Sequence, residues 1–312
     1  MISSYFFGII GTSLNVALSI LLCSQSLSRT FAIFRICLHI SALHGFLMSQ
    51  TILITRLTHL FLNGYYLHVF LWETVVIPKW VKNVWYVVGT SLITAMWQLT
   101  PAPCILQYLI LSNGLTNRRL RSPHIIIFIA YAPSIVMMMF SAIWALDFIP
   151  TPSFELKIMN ITRKFYNIPN NQTILVYGLS FDQDPINENR SLKRSIIATI
   201  IGLSYVMSYM LFFWILYRVR LLLAKSVMSG RTLKLQRRFI HFQIVQGLFP
   251  LFVVAIPFSI FYIGLLLKFE GVEGIGQFQS IGFYAMPTVQ SLFHIYFVKN
   301  SSRGNRKQPS NA

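Results

Sequence analysis

Residues 195–217 read SIIATIIGLSYVMSYMLFFWILY, and residues 218–238 read RVRLLLAKSVMSGRTLKLQRR. The first stretch is an uncharged apolar run of the length that crosses about 30 Å of hydrocarbon as a helix of about 20 residues. The second carries Arg218, Arg220, Lys225, Arg231, Lys234, Arg237 and Arg238 without a single acid. A spanning helix that ends in uncompensated positive charge fixes both a fold class and a side, because positive loop charge is held back on the cytoplasmic face during insertion.

The pattern extends in both directions. Apolar runs at 3–23, 36–55, 84–112, 124–146, 195–217, 239–267 and 278–298 predict an all-α membrane protein, a single seven-transmembrane helix bundle over 1–312. Its long outer loop is 147–194 and its tail 299–312. The gaps 24–35, 113–123 and 218–238, with the tail, hold sixteen Lys and Arg and no acid. The alternate gaps hold ten, together with all eight acids: Glu73, Asp147, Glu155, Asp182, Asp184, Glu188, Glu270 and Glu273. The expected orientation is N-terminus out and C-terminus in. An uncharged N-terminus before Arg29 and Arg35 fits a first run that is retained as a span rather than cleaved as a leader.

Composition excludes most other classes. Hydrophobic residues make up 55% and charged residues 11% of the chain, and mean hydropathy is +0.61, whereas a soluble domain is roughly one quarter charged. The +18 net charge lines one membrane face, so it points to contact with anionic lipid rather than nucleic acid. The outer loop contains the glycosylation sequons at Asn160, Asn171 and Asn189, of which Asn160 and Asn171 are expected to be used. Cys23, Cys37 and Cys104 lie in or beside spans, which leaves no outer-loop disulfide; the loop must be held by packing or be mobile. No metal-ligand spacing occurs, no cofactor is implied, and no nucleophile–base set suggests an enzyme. Apart from histidine the spans lack ionisable groups, which argues against a coupled pump. His44 and His294 read as helix–helix hydrogen-bonding residues.

Aromatic and neutral polar residues stand where lipid alone would favour leucine. Trp97, Gln98, Tyr205, Tyr209, Tyr262 and Tyr284 are the candidate ligand-binding set, since small-molecule pockets are apolar with a few placed polar groups. Pro101, Pro250, Pro257 and Pro287 are candidate hinges: each removes a backbone hydrogen bond and opens a kink. Arg118, Arg119, Arg121, Arg231, Lys234 and Arg238 form a basic ring around the inner end. That ring suits lipid anchoring and the docking of a cytosolic protein, while Gln107 and Tyr108 are candidates for an inner lock. Phe70 to Trp80, too short to span, reads as an interfacial segment, with outward extension of the third helix as the alternative.

Leu233-Lys234-Leu235-Gln236-Arg237-Arg238-Phe239 runs on through Gln243, Gln246 and Pro250. Pro287-Thr288-Val289-Gln290-Ser291-Leu292-Phe293 is followed by Ile295-Tyr296-Phe297-Val298-Lys299. Together they resemble the sixth- and seventh-helix signatures of the nematode serpentine chemoreceptors, the Str/Srd/Srh-like superfamily. The resemblance implies a G-protein-coupled receptor in the plasma membrane of sensory neurons, and their cilia, that binds an odorant- or pheromone-like small molecule and activates a heterotrimeric G protein. The chain departs from rhodopsin-like receptors: Gln107-Tyr108-Leu109 stands where those end the third helix in an acidic–Arg–aromatic triplet, and no Asn-Pro-x-x-Tyr occurs. A non-signalling membrane carrier and a ligand-gated channel of reversed topology are the alternative functions.

Overall fold

The computed structural model describes residues 2–24, 29–62, 65–70, 78–116, 123–169, 174–180, 188–225, 230–257, 259–260 and 273–306. Helices α1 (Ile2–Ser24) and α2 (Arg29–Thr55) come first, followed by the strands β1 (Leu57–Leu62) and β2 (Tyr65–Phe70). Then come α3 (Lys79–Gln98), α4 (Ala102–Thr116), α5 (Pro123–Leu146), α6 (Pro152–Tyr166) and β3 (Leu175–Ser180). The chain closes with α7 (Glu188–Lys225), α8 (Gly230–Pro250), a π-helical turn (Leu251–Ala255) and α9 (Glu273–Arg306).

Among the described residues, four helical stretches are long and apolar enough to cross a membrane: Ser3–Ser24, Phe34–Thr55, His124–Leu146 and Thr199–Lys225. The third apolar run is a span in two pieces. Pro101 and Pro103 cannot donate into a helix, so α3 stops at Gln98, where the Leu99 amide still reaches Ala95 O at 2.8 Å. Helix α4 then restarts, with the Ile105 amide donating to Pro101 O at 2.9 Å. At its other end α3 begins at Lys79, beyond the apolar run, so Trp80 is helical. Phe70 closes β2, and 71–77 lie outside the described residues.

Helix α1 packs on α2 and α9, α3 on α2, α5 and α7, and α4 on α5, α7 and α8, while α8 meets α9. Lipid offers little hydrophobic drive between helices, so close backbone approach and interhelical hydrogen bonds carry the assembly. At the α1–α2–α9 seam a Cβ on Gly45 would lie 2.5 Å from the Asn15 amide. That glycine lets Asn15 reach across toward Pro287 O at 3.5 Å, and the Thr288 hydroxyl donates to Phe7 O at 3.1 Å. His44 Nε2 meets Leu92 O at 2.9 Å, joining α2 to α3, and His294 meets Gln246 at 3.1 Å, joining α9 to α8; both histidines tie helices as expected.

Around this bundle the structure adds a sheet to the helical expectation. The strands form an antiparallel three-stranded sheet in the order β1-β2-β3, with Leu62 opposite Tyr65 and Tyr65 opposite Ser180. The two residues between Leu62 and Tyr65 are Asn63 and Gly64, a pair that favours a two-residue hairpin connection. Every residue of β2 is buried. One face of the sheet lays Leu57, Tyr66 and Phe70 against Tyr86, Ala145 and Phe148. The other packs Leu60, Tyr65, Leu67 and Val69 under Phe154, Ile158 and Ile161 of α6. Sheet and α6 thus roof one end of the bundle, and the described parts of the long connection after α5 are held by packing and by the β2–β3 ladder. An exposed Lys79–Glu155 ion pair at 2.6 Å adds to this, worth at most about 1 kcal/mol.

Candidate functional site

Below the roof, the end of α3 meets α5 and α7 through one glutamine. The buried Gln98 amide donates to Ser204 Oγ at 2.9 Å and accepts from Ser208 Oγ at 2.6 Å, while Ser134 donates to Gln98 O at 3.0 Å. Serines at 204 and 208 are one helical turn apart and so share a face of α7. Tyr205 and Tyr209 repeat the same spacing beside them. The Trp97 and Tyr205 rings meet edge to face at 5.3 Å, and Tyr205 and Tyr209 lie 5.0 Å apart. Met96, Phe283 and Met286 close the apolar wall, with Ile93 and Phe249 packed against it. Trp97 Nε1 is buried without a hydrogen-bond partner, an arrangement that is costly unless another molecule completes it, and the buried Tyr205 and Tyr209 hydroxyls have only each other. Trp97, Gln98, Tyr205 and Tyr209 therefore form one cluster.

Tyr284 sits under the roof instead. Its hydroxyl donates to Leu57 O and lies 3.4 Å from the Thr58 hydroxyl. With Thr51, Thr55, His59 and Phe283 it lines a cavity of about 20 Å³, room for about one water. Ile93 and Phe283 border both this cavity and the Trp97 cluster. Tyr262 lies outside the described residues.

The roof contributes buried groups that the sequence reading did not single out. His59 Nδ1 lies 2.9 Å from the Tyr66 hydroxyl and His68 Nδ1 lies 2.8 Å from the Tyr86 hydroxyl. The two imidazoles meet edge to face at 4.6 Å, and His68 stacks on Phe148 at 5.0 Å. Burial pushes His59 down to about 4. His68 falls well below its ordinary value, through burial first and repulsion from His59 second. Both are neutral at ordinary pH. Period-two alternation around Asn63-Gly64 was the available sequence signal for these strands.

At the opposite end the helices are latched by amides. Gln107 Nε2 of α4 donates to Gln236 Oε1 of α8 at 2.6 Å, both side chains being buried. Gln107 Oε1 and both amide atoms of buried Gln243 have no partner. Sequence reading named Gln107 and Gln236 separately but not their pairing, since no local pattern sets the register of two helices so far apart in the chain. On the other side of α8, Lys234 and Arg238 are exposed, one turn apart. Arg231 lies in the first turn of α8, with its side chain outside the described set. Arg118, Arg119 and Arg121 also lie outside the described residues.

Of the candidate hinges, Pro101 marks the α3–α4 break, Pro250 ends α8 at the π-helical turn, and Pro287 lies inside an unbroken α9. A π-helical turn beside a proline is a recognised cause of kinking. Pro257 follows that turn. Pro133 inside α5 is a further interruption that the sequence reading passed over. Asn160 is exposed on α6, and Asn171 falls outside the described residues.

The fold is that of the seven-transmembrane receptors: squid rhodopsin superposes with a TM-score of 0.52 at 13% identity, over 97% of this chain and 83% of that one. Xanthorhodopsin, a light-driven ion pump with dual chromophore, aligns at 12% identity over 97% of this chain and 93% of that one, but its TM-score is 0.38. Comparison with curated proteins finds no match. The model of the serpentine type 7TM GPCR chemoreceptor Str family matches residues 1–301, and the chain belongs to that family. It is therefore a multi-pass membrane receptor of the chemoreceptor class, whose family and structural neighbour are receptors rather than enzymes.

Proposed function

We propose that this receptor sits in the plasma membrane of a sensory cell with its roofed end outside, binds an odorant- or pheromone-like molecule, and activates a heterotrimeric G protein. The observation that carries the proposal is the pairing of two unfinished polar sites on either side of the break in one helix. Trp97 holds an unpartnered donor next to the end of α3, beside the Tyr205–Tyr209 pair; Gln107 on α4 and Gln243 on α8 hold unpartnered amide atoms. Between them lie the Pro101 break and, in the neighbouring helix, the Pro250 π-helical turn. A ligand that binds one arrangement of the Trp97 cluster better than another shifts the balance by that difference in affinity, and the Gln107–Gln236 latch is the bistable element it biases.

Ligand contacts are assigned to Trp97, Gln98, Tyr205 and Tyr209, with Tyr284 toward the roof, and to Tyr262. Lys234 and Arg238, with Arg118, Arg119, Arg121 and Arg231, are assigned to the G protein and to inner-leaflet lipid. The charge asymmetry between alternate gaps supports the orientation. The test measures ligand-stimulated nucleotide exchange on a co-expressed G protein. Lys234→Glu with Arg238→Glu abolishes exchange while surface expression persists; unchanged exchange refutes the docking face. A tag after Ala312 is labelled only after permeabilisation, and labelling on intact cells refutes the orientation.

A further inference from the structure

We infer that the Trp97–Tyr205–Tyr209 site takes an uncharged molecule bearing a hydrogen-bond acceptor, a carbonyl, ester or ether oxygen on an apolar body, and that this molecule enters sideways from the bilayer past Tyr205 and Gly202. The inference rests on reading this cluster as the ligand site and adds the ligand's chemistry and its route.

The chemistry follows from what the wall lacks. An indole N–H can only donate, and Trp97 Nε1 has nothing to donate to. The phenol hydroxyls of Tyr205 and Tyr209 have only each other, which leaves one of the two O–H donors over, and Tyr209 is only 7% exposed. Gln98, the obvious acceptor nearby, is already engaged by Ser204 and Ser208. The remaining wall is Ile93, Met96, Phe283 and Met286, with no charge to balance an ion. A cation would meet no carboxylate, and an anion would be desolvated against neutral donors alone. A neutral acceptor completes the donors and leaves its apolar body on the hydrocarbon wall.

The route follows from where the site is closed and where it is open. Among the described residues, the roof is sewn to the bundle by hydrogen bonds besides the Lys79–Glu155 ion pair. Tyr284 donates to Leu57 O, and the His59 amide donates to Ser280 Oγ at 3.0 Å. The Gly178 amide donates to Phe148 O at 3.1 Å, and the Tyr177 hydroxyl to Asn83 Oδ1 at 2.7 Å. Tyr205, by contrast, is only half-buried: its hydroxyl is inside and part of its ring faces outward. Its neighbour one turn away on the same face, Gly202, is exposed, and a Cβ built there meets nothing within 4 Å. Leu203, Val206 and Met207 around this notch are exposed apolar side chains, a surface suited to lipid. Each methylene of a ligand raises its concentration in that lipid about fourfold.

The test uses purified full-length receptor in lipid nanodiscs, without G protein, and tritiated decan-2-one as probe, with decane and decanoate as competitors. Decan-2-one binds saturably, and decane and decanoate compete at least about tenfold more weakly. Trp97→Phe and Tyr209→Phe each weaken the ketone about three- to tenfold, the worth of one neutral hydrogen bond, and leave decane unchanged. Gly202→Leu, which fills open space and favours the helix, slows association and dissociation together with little change in Kd. Tyr177→Phe, which loosens the roof, leaves both rates unaltered. Absence of saturable ketone binding, equal competition by decane or decanoate, or faster association in Tyr177→Phe with no effect of Gly202→Leu would each overturn the inference. Binding without stimulated exchange would instead sink the signalling proposal and leave this one standing.

Discussion

Replacing Gln98 by methionine, which keeps the length of the side chain and removes its amide, tests whether α3 and α7 are joined by directional bonds or by shape alone. Two interhelical bonds disappear, to Ser204 and to Ser208. Such bonds inside membranes average about 0.6 kcal/mol and reach about 1.7. Ser204, which accepts from Gln98, still donates to Ile201 O at 2.7 Å, so its share is near the average. Ser208 is 6% exposed and would be left with a buried hydroxyl, adding about 1 kcal/mol. Gln98→Met should therefore cost roughly 2 kcal/mol, and Ser208→Ala about 1 kcal/mol. Because the two share one bond, the double variant should cost about 2 rather than 3 kcal/mol, a coupling of about 1 kcal/mol. Reversible unfolding in bicelles, followed for the four proteins of the cycle, measures it. A coupling below about 0.3 kcal/mol, the ordinary scatter of additive sites, refutes the bond as a structural tie.

Gln243→Met should stabilise the resting receptor by about 1 kcal/mol or more, since it removes a buried amide with no partner; a loss of stability in the same unfolding assay refutes the assignment. The roof should weaken in acid. His59 sits at about 4 against an ordinary 6.5, so its neutral form is favoured by folding; that stability is complete above pH 6.5 and is lost as pH falls toward 4. The loss amounts to about 3 kcal/mol at the limit, and lower protection factors of β1 and β2 amides at pH 5 than at pH 7, taken against the slower intrinsic exchange in acid, are its signature. Asn160→Gln should remove one glycosidase-sensitive increment of gel mobility from protein made in secretory membranes; identical mobility would place α6 on the other side.

The long spans could be read from hydropathy because lipid imposes one demand on every residue they contain. Helix α7 runs past the apolar stretch to Lys225 and α8 starts at Gly230, both within the basic run 218–238. The break between α3 and α4 was visible in Pro101 and Pro103. The roof was not read, because its strands are too short for a span and their alternation is lost in a window tuned to spans. Site residues divided in the same way. Trp97 and Gln98 stood out by depth, as did Tyr205 and Tyr209, but the partners of Gln98 and of Gln107 depend on helix register, which a single chain's spacing does not encode. Tyr284 was legible as an aromatic within the seventh apolar run, though not as a tie to Leu57.

The central strand of the roof is bordered on one side by the hairpin it shares with β1 and on the other by β3, which the ribosome makes only after α3, α4, α5 and α6. Until Ser180 arrives to face Tyr65, the edge of β2 stays open, the kind of edge that captures foreign strands. A chain stalled or truncated after α5 would carry that open edge into the secretory pathway, so quality control of this receptor would act on an early hairpin waiting for a late strand.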